Sequence, residues 1–150
     1  MATAWRITKA RRHPYDGTGA RLRGARWNSA GREVIYAADT FAGAILEILV
    51  HTTQPRTLAG RHHAVRIDVP DTFVETLEPD RLARWDTASS PWARQFGNVW
   101  PDQMRSVVLS VPSVPARPVG RTLLINPRHP DAGAVLVSEP FHVPWDERLF

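Results

Sequence analysis

Residues 24–28 read GARWN, residues 31–40 read GREVIYAADT and residues 41–51 read FAGAILEILVH. Val34, Ile35 and Tyr36 form a short β-type run. Asp39 or Thr40 can cap the helix that follows, because a short polar side chain accepts from the free amides of a first turn. The apolar run predicts a helix from residue 40 as far as His51. Ala44, Ile45, Leu46, Ile48, Leu49 and Val50 leave it almost no polar face, and a helix apolar all round is expected to be buried. Glu47 lies in its middle. A buried carboxylate is costly unless it is paired, protonated or used, so Glu47 is a candidate for function. His51, one turn on and on the same face, offers a simple partner instead.

Upstream, Trp5–Ile7 reads as a first short strand with Arg6 in its middle. Residues 8–24 are polar, contain Pro14, Gly17, Gly19 and Gly24, and read as a loop. Downstream, residues 52–63 form a polar connection with Pro55 and Gly60. Ala64–Val69 places Val65, Ile67 and Val69 on one side and Arg66 and Asp68 on the other, the period of a half-buried strand. Phe73–Leu77 is a further strand candidate. Between residues 78 and 105, Ser90–Pro91 suits a helix start, while Gly97 and Pro101 predict short helical pieces. Ser106–Val111 is a β run stopped by Pro112, followed by a proline-rich loop over 112–120. Thr122–Ile125 and Ala134–Val137 read as the last strands, linked by NPRHPDAG. The apolar end of FHVPWDERLF is expected to dock. Strands outnumber helices and do not alternate regularly with them. The expectation is an α+β fold, one domain over residues 1–150, with small mixed or antiparallel sheets and a buried helix.

The chain has 150 residues, 43% hydrophobic, enough for one core. It has no cysteine, which excludes disulfides and thiolate metal sites. No apolar run approaches the ~20 residues of a membrane span, and MATAWRITKARRHP has no apolar targeting core. The expectation is a soluble, cytoplasmic protein. The net charge of +4 invites a nucleic-acid reading. The arginines are scattered, however, and Lys9 is the only lysine, so direct nucleic-acid binding is not expected. The densest group, Arg11, Arg12, Arg21, Arg23 and Arg26, is either a solvated basic face or an anion site.

Other chemistry can be tested against spacing. His62–His63 is an adjacent pair in an expected loop, and His129 and His142 have no partner at helical metal spacing, so no metal site is expected. No GxGxxG, Walker A or GxSxG pattern is present. Ser113, in VPSVP, reads on its own as a turn serine. Tyr36 and Trp27 read on their own as core aromatics.

Together these segments resemble a known family. GARWNSAGREVIYAA, AILEILVH, a strand ending in VPS, LLINPRHPD and WDERL occur in the order and rough spacing of the RES domain, named for Arg, Glu and Ser positions along the chain. Three segments depart from its usual pattern. Ala25 stands where a second glycine is common, Gly97-Asn98-Val99-Trp100 replaces Gly-Asp-x-Trp, and Arg121-Thr122 replaces Asn-Tyr. The resemblance implies a fold similar to ADP-ribosylating toxins and a toxin paired with an Xre-type antitoxin. It implies NAD as substrate rather than as a bound prosthetic group, and a homodimer within a toxin–antitoxin complex.

Cleaving the nicotinamide–ribose bond passes through an oxocarbenium-like state. The resemblance then suggests roles. Glu47 would stabilise the developing charge or hold the ribose. Tyr36 would stack on nicotinamide, Arg6 and Arg26 would bind the pyrophosphate, and Ser113 would orient Glu47 or the ribose. Trp27 and Asn126 would complete the NAD contacts. A protein ADP-ribosyltransferase would use the same electrophile, and a non-catalytic basic binding module is the rival from another class.

Overall fold

The computed structural model describes residues 1–52 and 60–150. The connection expected over residues 52–63 therefore lies largely outside the described residues. Eleven elements are used below. They are β1 (Ala2–Lys9), α1 (Thr18–Arg23), β2 (Ile35–Ala38), α2 (Phe41–Val50), β3 (His62–Val69), β4 (Val74–Thr76), α3 (Pro91–Asp102), β5 (Val108–Pro112), β6 (Arg121–Ile125), β7 (Leu136–Val137) and β8 (Phe141–His142). The expected α+β class is seen.

The strands form one eight-stranded sheet in the order β4-β5-β6-β2-β1-β3-β7, with β8 also on β3. Every neighbouring pair is antiparallel except β4–β5, which is parallel. β1 runs the full length of β3, from Ala2 opposite Val69 to Lys9 opposite His62. The alternation read from 64–69 holds: Val65, Ile67 and Val69 join Ala4, Ile35, Ala37 and Ile125 in one core. His62 and His63 lie on β3 rather than in a loop, so their side chains leave opposite faces of the strand.

Two helices cover the other face. α2 lays Phe41, Ala44, Ile45 and Ile48 over Ile7, Ala38 and Ala64. α3 presses Ala93 and Trp100 onto Val34, Leu109, Val111 and Leu124, together with Trp27 and Trp85. Ala38 and Tyr36, two apart on β2, point to the same face. Ala38 sits under α2 while Tyr36 packs against the α3 cluster, so Tyr36 stands at the boundary between the helices.

Three expectations are corrected. α2 is not wholly buried: Ala44 is its one buried residue, and Val50 is 54% exposed. It rests on the sheet along the stripe 41-44-45-48. Residues 8–24 contain the short helix α1. Gly97 and Pro101 do not break residues 91–102 into pieces; α3 runs through both. Gly97 is required because a Cβ there would lie 1.7 Å from the Trp27 carbonyl oxygen. Pro101 falls in the last turn, where its ring faces the glycine backbone four residues back and few helix bonds remain to be lost. The start was read correctly: the Ser90 hydroxyl accepts from the Ala93 amide at 3.1 Å, with Pro91 at the first helical position. The tail docks, with Val143 buried and the Trp145 and Phe150 rings edge to face at 5.9 Å.

Candidate active site

The site is built on the GARWN turn. α1 ends at Gly24, whose φ of +72° suits glycine. Ala25 and Asn28 then exchange backbone hydrogen bonds of 2.9 and 3.4 Å, leaving Arg26 and Trp27 as a two-residue tip. The Trp27 indole is 2% exposed and stacks on Trp85 at 6.4 Å. Its burial fixes the tip, so Arg26 is held beside a rigid neighbour. Arg26 Nη1 donates to the carbonyls of Trp85 (3.1 Å) and Thr87 (2.8 Å), which leaves Nε and Nη2 free among the described residues.

Tyr36 closes the turn from the sheet. Its hydroxyl donates to Asn28 Oδ1 at 2.6 Å and accepts from the Trp27 amide at 3.0 Å. Burial pushes the phenol well above its ordinary pKa, against the Trp27 amide and the positive charges of Arg94, Arg26 and Arg6. The hydroxyl is therefore neutral at any physiological pH and keeps the proton it donates to Asn28.

Arg6, on β1, donates from Nε to Pro14 O (2.7 Å), from Nη1 to Tyr36 O (2.6 Å) and from Nη2 to Asp16 O (3.3 Å). Burial lowers its pKa, while Asp16 and Tyr36 act the other way. Three of its five N–H groups thus hold backbone, joining the 14–16 loop to β2. Arg6, Tyr36, Trp27 and Arg26 form one connected chain of contacts.

Arg94, on α3, faces the same region and acts electrostatically on Tyr36. Together with Arg23, Gly24, Ala25, Asn28, Ser29 and Ala30 it lines an open cavity of about 340 Å³. No carboxylate lines this cavity, so its field suits an anionic ligand. A second groove, of about 450 Å³, is lined in part by Asp39, Asp71, Ser110 and Arg121. There the Arg121 guanidinium is occupied by Ser110 Oγ (3.0 Å), Ser110 O (2.8 Å) and Leu77 O (2.7 Å), and the two aspartates oppose an anion. The first cavity is the better candidate on that ground.

The remaining expected residues are not among those lining this cavity. Glu47 is on the flank of α2 rather than buried: its side chain is 33% exposed, and Oε2 is 3.5 Å from His51 Nε2. The desolvation cost that singled it out is correspondingly smaller. Ser113 Oγ accepts from the Ala116 amide at 3.2 Å, and the Ser113 amide donates to Gly120 O at 3.0 Å. Among the described residues it makes no hydrogen bond to Glu47. Asn126, 2% exposed, accepts at Oδ1 from the Arg128 amide (3.0 Å) and donates to the Met104 sulfur (3.6 Å). His129 accepts at Nδ1 from the Asp131 amide (3.0 Å), so its Nε2 carries the proton given to Met104 O at 3.1 Å. The NPRHP segment locks a loop.

Two residues were not singled out from sequence. Asn28, fully buried, had a visible signal, since it stands inside GARWN. Arg94 had none, being one arginine among many.

The family model for the RES domain matches residues 3–146. The chain belongs to the RES-domain family, the toxins of toxin–antitoxin systems. It is 39% identical to Prs ADP-ribosylating toxin of a Sphingobium species, an alignment covering 97% of this chain and 94% of that protein. It is 35% identical to Toxin Res of Pseudomonas putida, over 97% and 98% of the two chains. The fold is that of the toxin in the crystal structure of the Mycobacterium tuberculosis MbcT–MbcA toxin–antitoxin complex. The TM-score is 0.75 at 24% identity, covering 94% of this chain and 83% of that one.

Proposed function

We propose that this toxin cleaves the nicotinamide–ribose bond of NAD in the cytoplasm, at a site built on Arg26, Tyr36 and Arg94, to which Glu47 on α2 would supply the carboxylate from outside the arginine-lined cavity. The observation that carries this reading is the connected set Arg6–Tyr36–Trp27–Arg26, beside a cavity walled by arginine and free of carboxylate. NAD carries a pyrophosphate, and fixed guanidinium groups suit it. The free Nε and Nη2 of Arg26, with Arg94, bind phosphate oxygens, while the two unused N–H groups of Arg6 contribute from beneath. The Tyr36 ring would offer its face to nicotinamide, held to the turn by the Trp27 amide.

As the C1′–N bond breaks, its electron pair leaves with the ring nitrogen and nicotinamide departs neutral. Positive charge is left on C1′ and the ribose ring oxygen, and the Glu47 carboxylate stabilises it. Water then forms a bond to C1′ and releases a proton, giving ADP-ribose; phosphate in its place gives ADP-ribose phosphate. Ser113 and Asn126 act by holding the loops they close. NAD is substrate, and no prosthetic group is needed.

A second reading, transfer of ADP-ribose to a protein side chain, is favoured by the name of the 39% identical Sphingobium relative. The partner is a cognate antitoxin of the Xre type, whose acidic group or C-terminal carboxylate would enter the arginine-lined cleft, within a complex built on a toxin homodimer. The deciding experiment is incubation of the purified chain with NAD, with and without phosphate and with candidate protein acceptors, followed by product identification. Free nicotinamide with ADP-ribose or its phosphate supports the first reading. Label on protein supports the second. Intact NAD in every condition rejects both and leaves a binding module.

A further inference from the structure

We infer that Asn28 is a positioning residue, a side chain that sets Tyr36 and Arg26 in a common frame. The inference rests on the NAD reading above. Asn28 is fully buried, and both ends of its side-chain amide are engaged. Oδ1 takes the Tyr36 proton at 2.6 Å. Nδ2 donates to the carbonyls of Ala20 (3.0 Å), Ser29 (3.1 Å) and Arg32 (3.3 Å), three acceptors for two hydrogens. Its backbone closes the turn with Ala25 that puts Arg26 and Trp27 at the tip. One residue therefore joins the end of α1, the loop that follows the turn, and the aromatic side chain of β2.

The Tyr36 hydroxyl is engaged on both sides. It gives its proton to Asn28 and takes the Trp27 amide, which is the residue next to Arg26. It has no proton to offer a substrate without breaking the link. What Tyr36 contributes to a ligand is its ring, and Asn28 decides where that ring stands relative to the Arg26 guanidinium. Shape alone does not meet this demand. An aspartate is isosteric but offers no donor to the three carbonyls, and it would bury a charge. A leucine offers neither donor nor acceptor. Small displacements of positioning groups are costly to turnover, because reacting parts must be held close to their productive geometry.

The test compares Asn28→Ala, Tyr36→Phe and the double variant with the unaltered chain. The readouts are far-UV circular dichroism, hydrogen exchange at the Trp27 amide, and kcat and KM for NAD. The expected result is native secondary structure and about fivefold or greater loss of kcat/KM in each single variant. The double variant should be no more than about twofold worse than the poorer single, since both changes cut the same link. A folded Asn28→Ala with kcat/KM within about twofold of the unaltered chain overturns the inference, as do losses that multiply in the double variant. If Asn28→Ala does not fold, Tyr36→Phe carries the test, and unaltered kinetics in that variant overturn the inference. If the unaltered chain consumes no NAD, the functional reading fails by itself. The link is then judged by Trp27 amide exchange in Tyr36→Phe, where faster exchange supports it and unchanged exchange overturns it.

Discussion

Glu47 Oε2 and His51 Nε2 lie 3.5 Å apart across one turn of α2, the acid one-third exposed and the imidazole four-fifths exposed. The pair occupies the flank of the helix stripe that packs on the sheet. Glu47 raises the His51 pKa, chiefly by hydrogen bonding and secondarily by charge, against the effect of burial. A folded-state value raised above the unfolded one gives stability that is fully present below the unfolded value. It is lost as pH rises through the folded value. The protein should therefore gain slightly from this pair in mildly acidic solution and lose that gain towards neutrality. Exposure keeps the effect small. NMR titration of His51 checks it: Glu47→Gln should lower the midpoint, and an unchanged midpoint would mean the pair does not form in solution.

Glu47→Gln is also the direct test of the carboxylate in turnover. The exposed flank tolerates an amide, so circular dichroism and melting should stay native-like while NAD consumption collapses. Turnover within about threefold of the unaltered chain, roughly 0.7 kcal/mol, would remove Glu47 from the mechanism.

Arg26→Lys keeps the charge but loses the fork that reaches the Trp85 and Thr87 carbonyls with one nitrogen and a ligand with the others. NAD turnover should fall about tenfold or more, matching the loss of one charge-assisted hydrogen bond at ~1.5–3 kcal/mol. Changing Arg11 and Arg12 together to Ala should cost little, because both are exposed and outside the cavity lining. Initial rates at fixed ionic strength decide it. The reverse pattern would move the anion site to the segment of Arg11 and Arg12, before α1.

Arg6→Lys should act on stability as well as on activity. An ammonium cannot span the Pro14, Tyr36 and Asp16 carbonyls at once. Losing two of these bonds should lower stability by about 2–4 kcal/mol, read from the urea midpoint at unchanged slope. An unshifted midpoint would show that these contacts are dispensable.

Gly97→Ala separates helix propensity from packing. Propensity alone favours alanine by ~1 kcal/mol. The added Cβ, however, meets the Trp27 carbonyl oxygen at 1.7 Å, so loop and helix must part. The net effect should be a loss of about 2 kcal/mol or more, seen as a clear fall in melting temperature. A stabilised variant would show that the contact between α3 and the GARWN turn is loose.

The strands could be read from sequence because alternation reports which side of a strand is wet. Val65, Ile67 and Val69 show this, as does the capped start of α2 at Thr40, whose hydroxyl accepts from the Gly43 amide at 2.9 Å. What could not be read was set by contacts distant in sequence. Gly97 looks like a helix breaker until the Trp27 carbonyl is placed against it. The apolar composition of α2 suggests burial on all sides, yet among the described residues one stripe packs on the sheet and Val50 is exposed. Arg6 reads as a pyrophosphate ligand, while three of its N–H groups go to backbone carbonyls that carry no sequence signal. Asn28 and Tyr36 are both visible in the motif, but their bond depends on how the turn folds back onto β2.

The strand order also has a consequence for synthesis. β1 is made first and ends in the interior of the sheet, between β2 and β3. β2, which carries Tyr36, finds its other neighbour only when residues 121–125 are made, and β3 is flanked last by residues 136–142. Few of these pairings are local, so a ribosome-bound chain holds unpaired strands until almost its whole length has emerged. The sheet that carries Tyr36 is thus completed only once β6 has been made. For a toxin, late completion of the sheet would leave an interval in translation during which the chain is not yet folded.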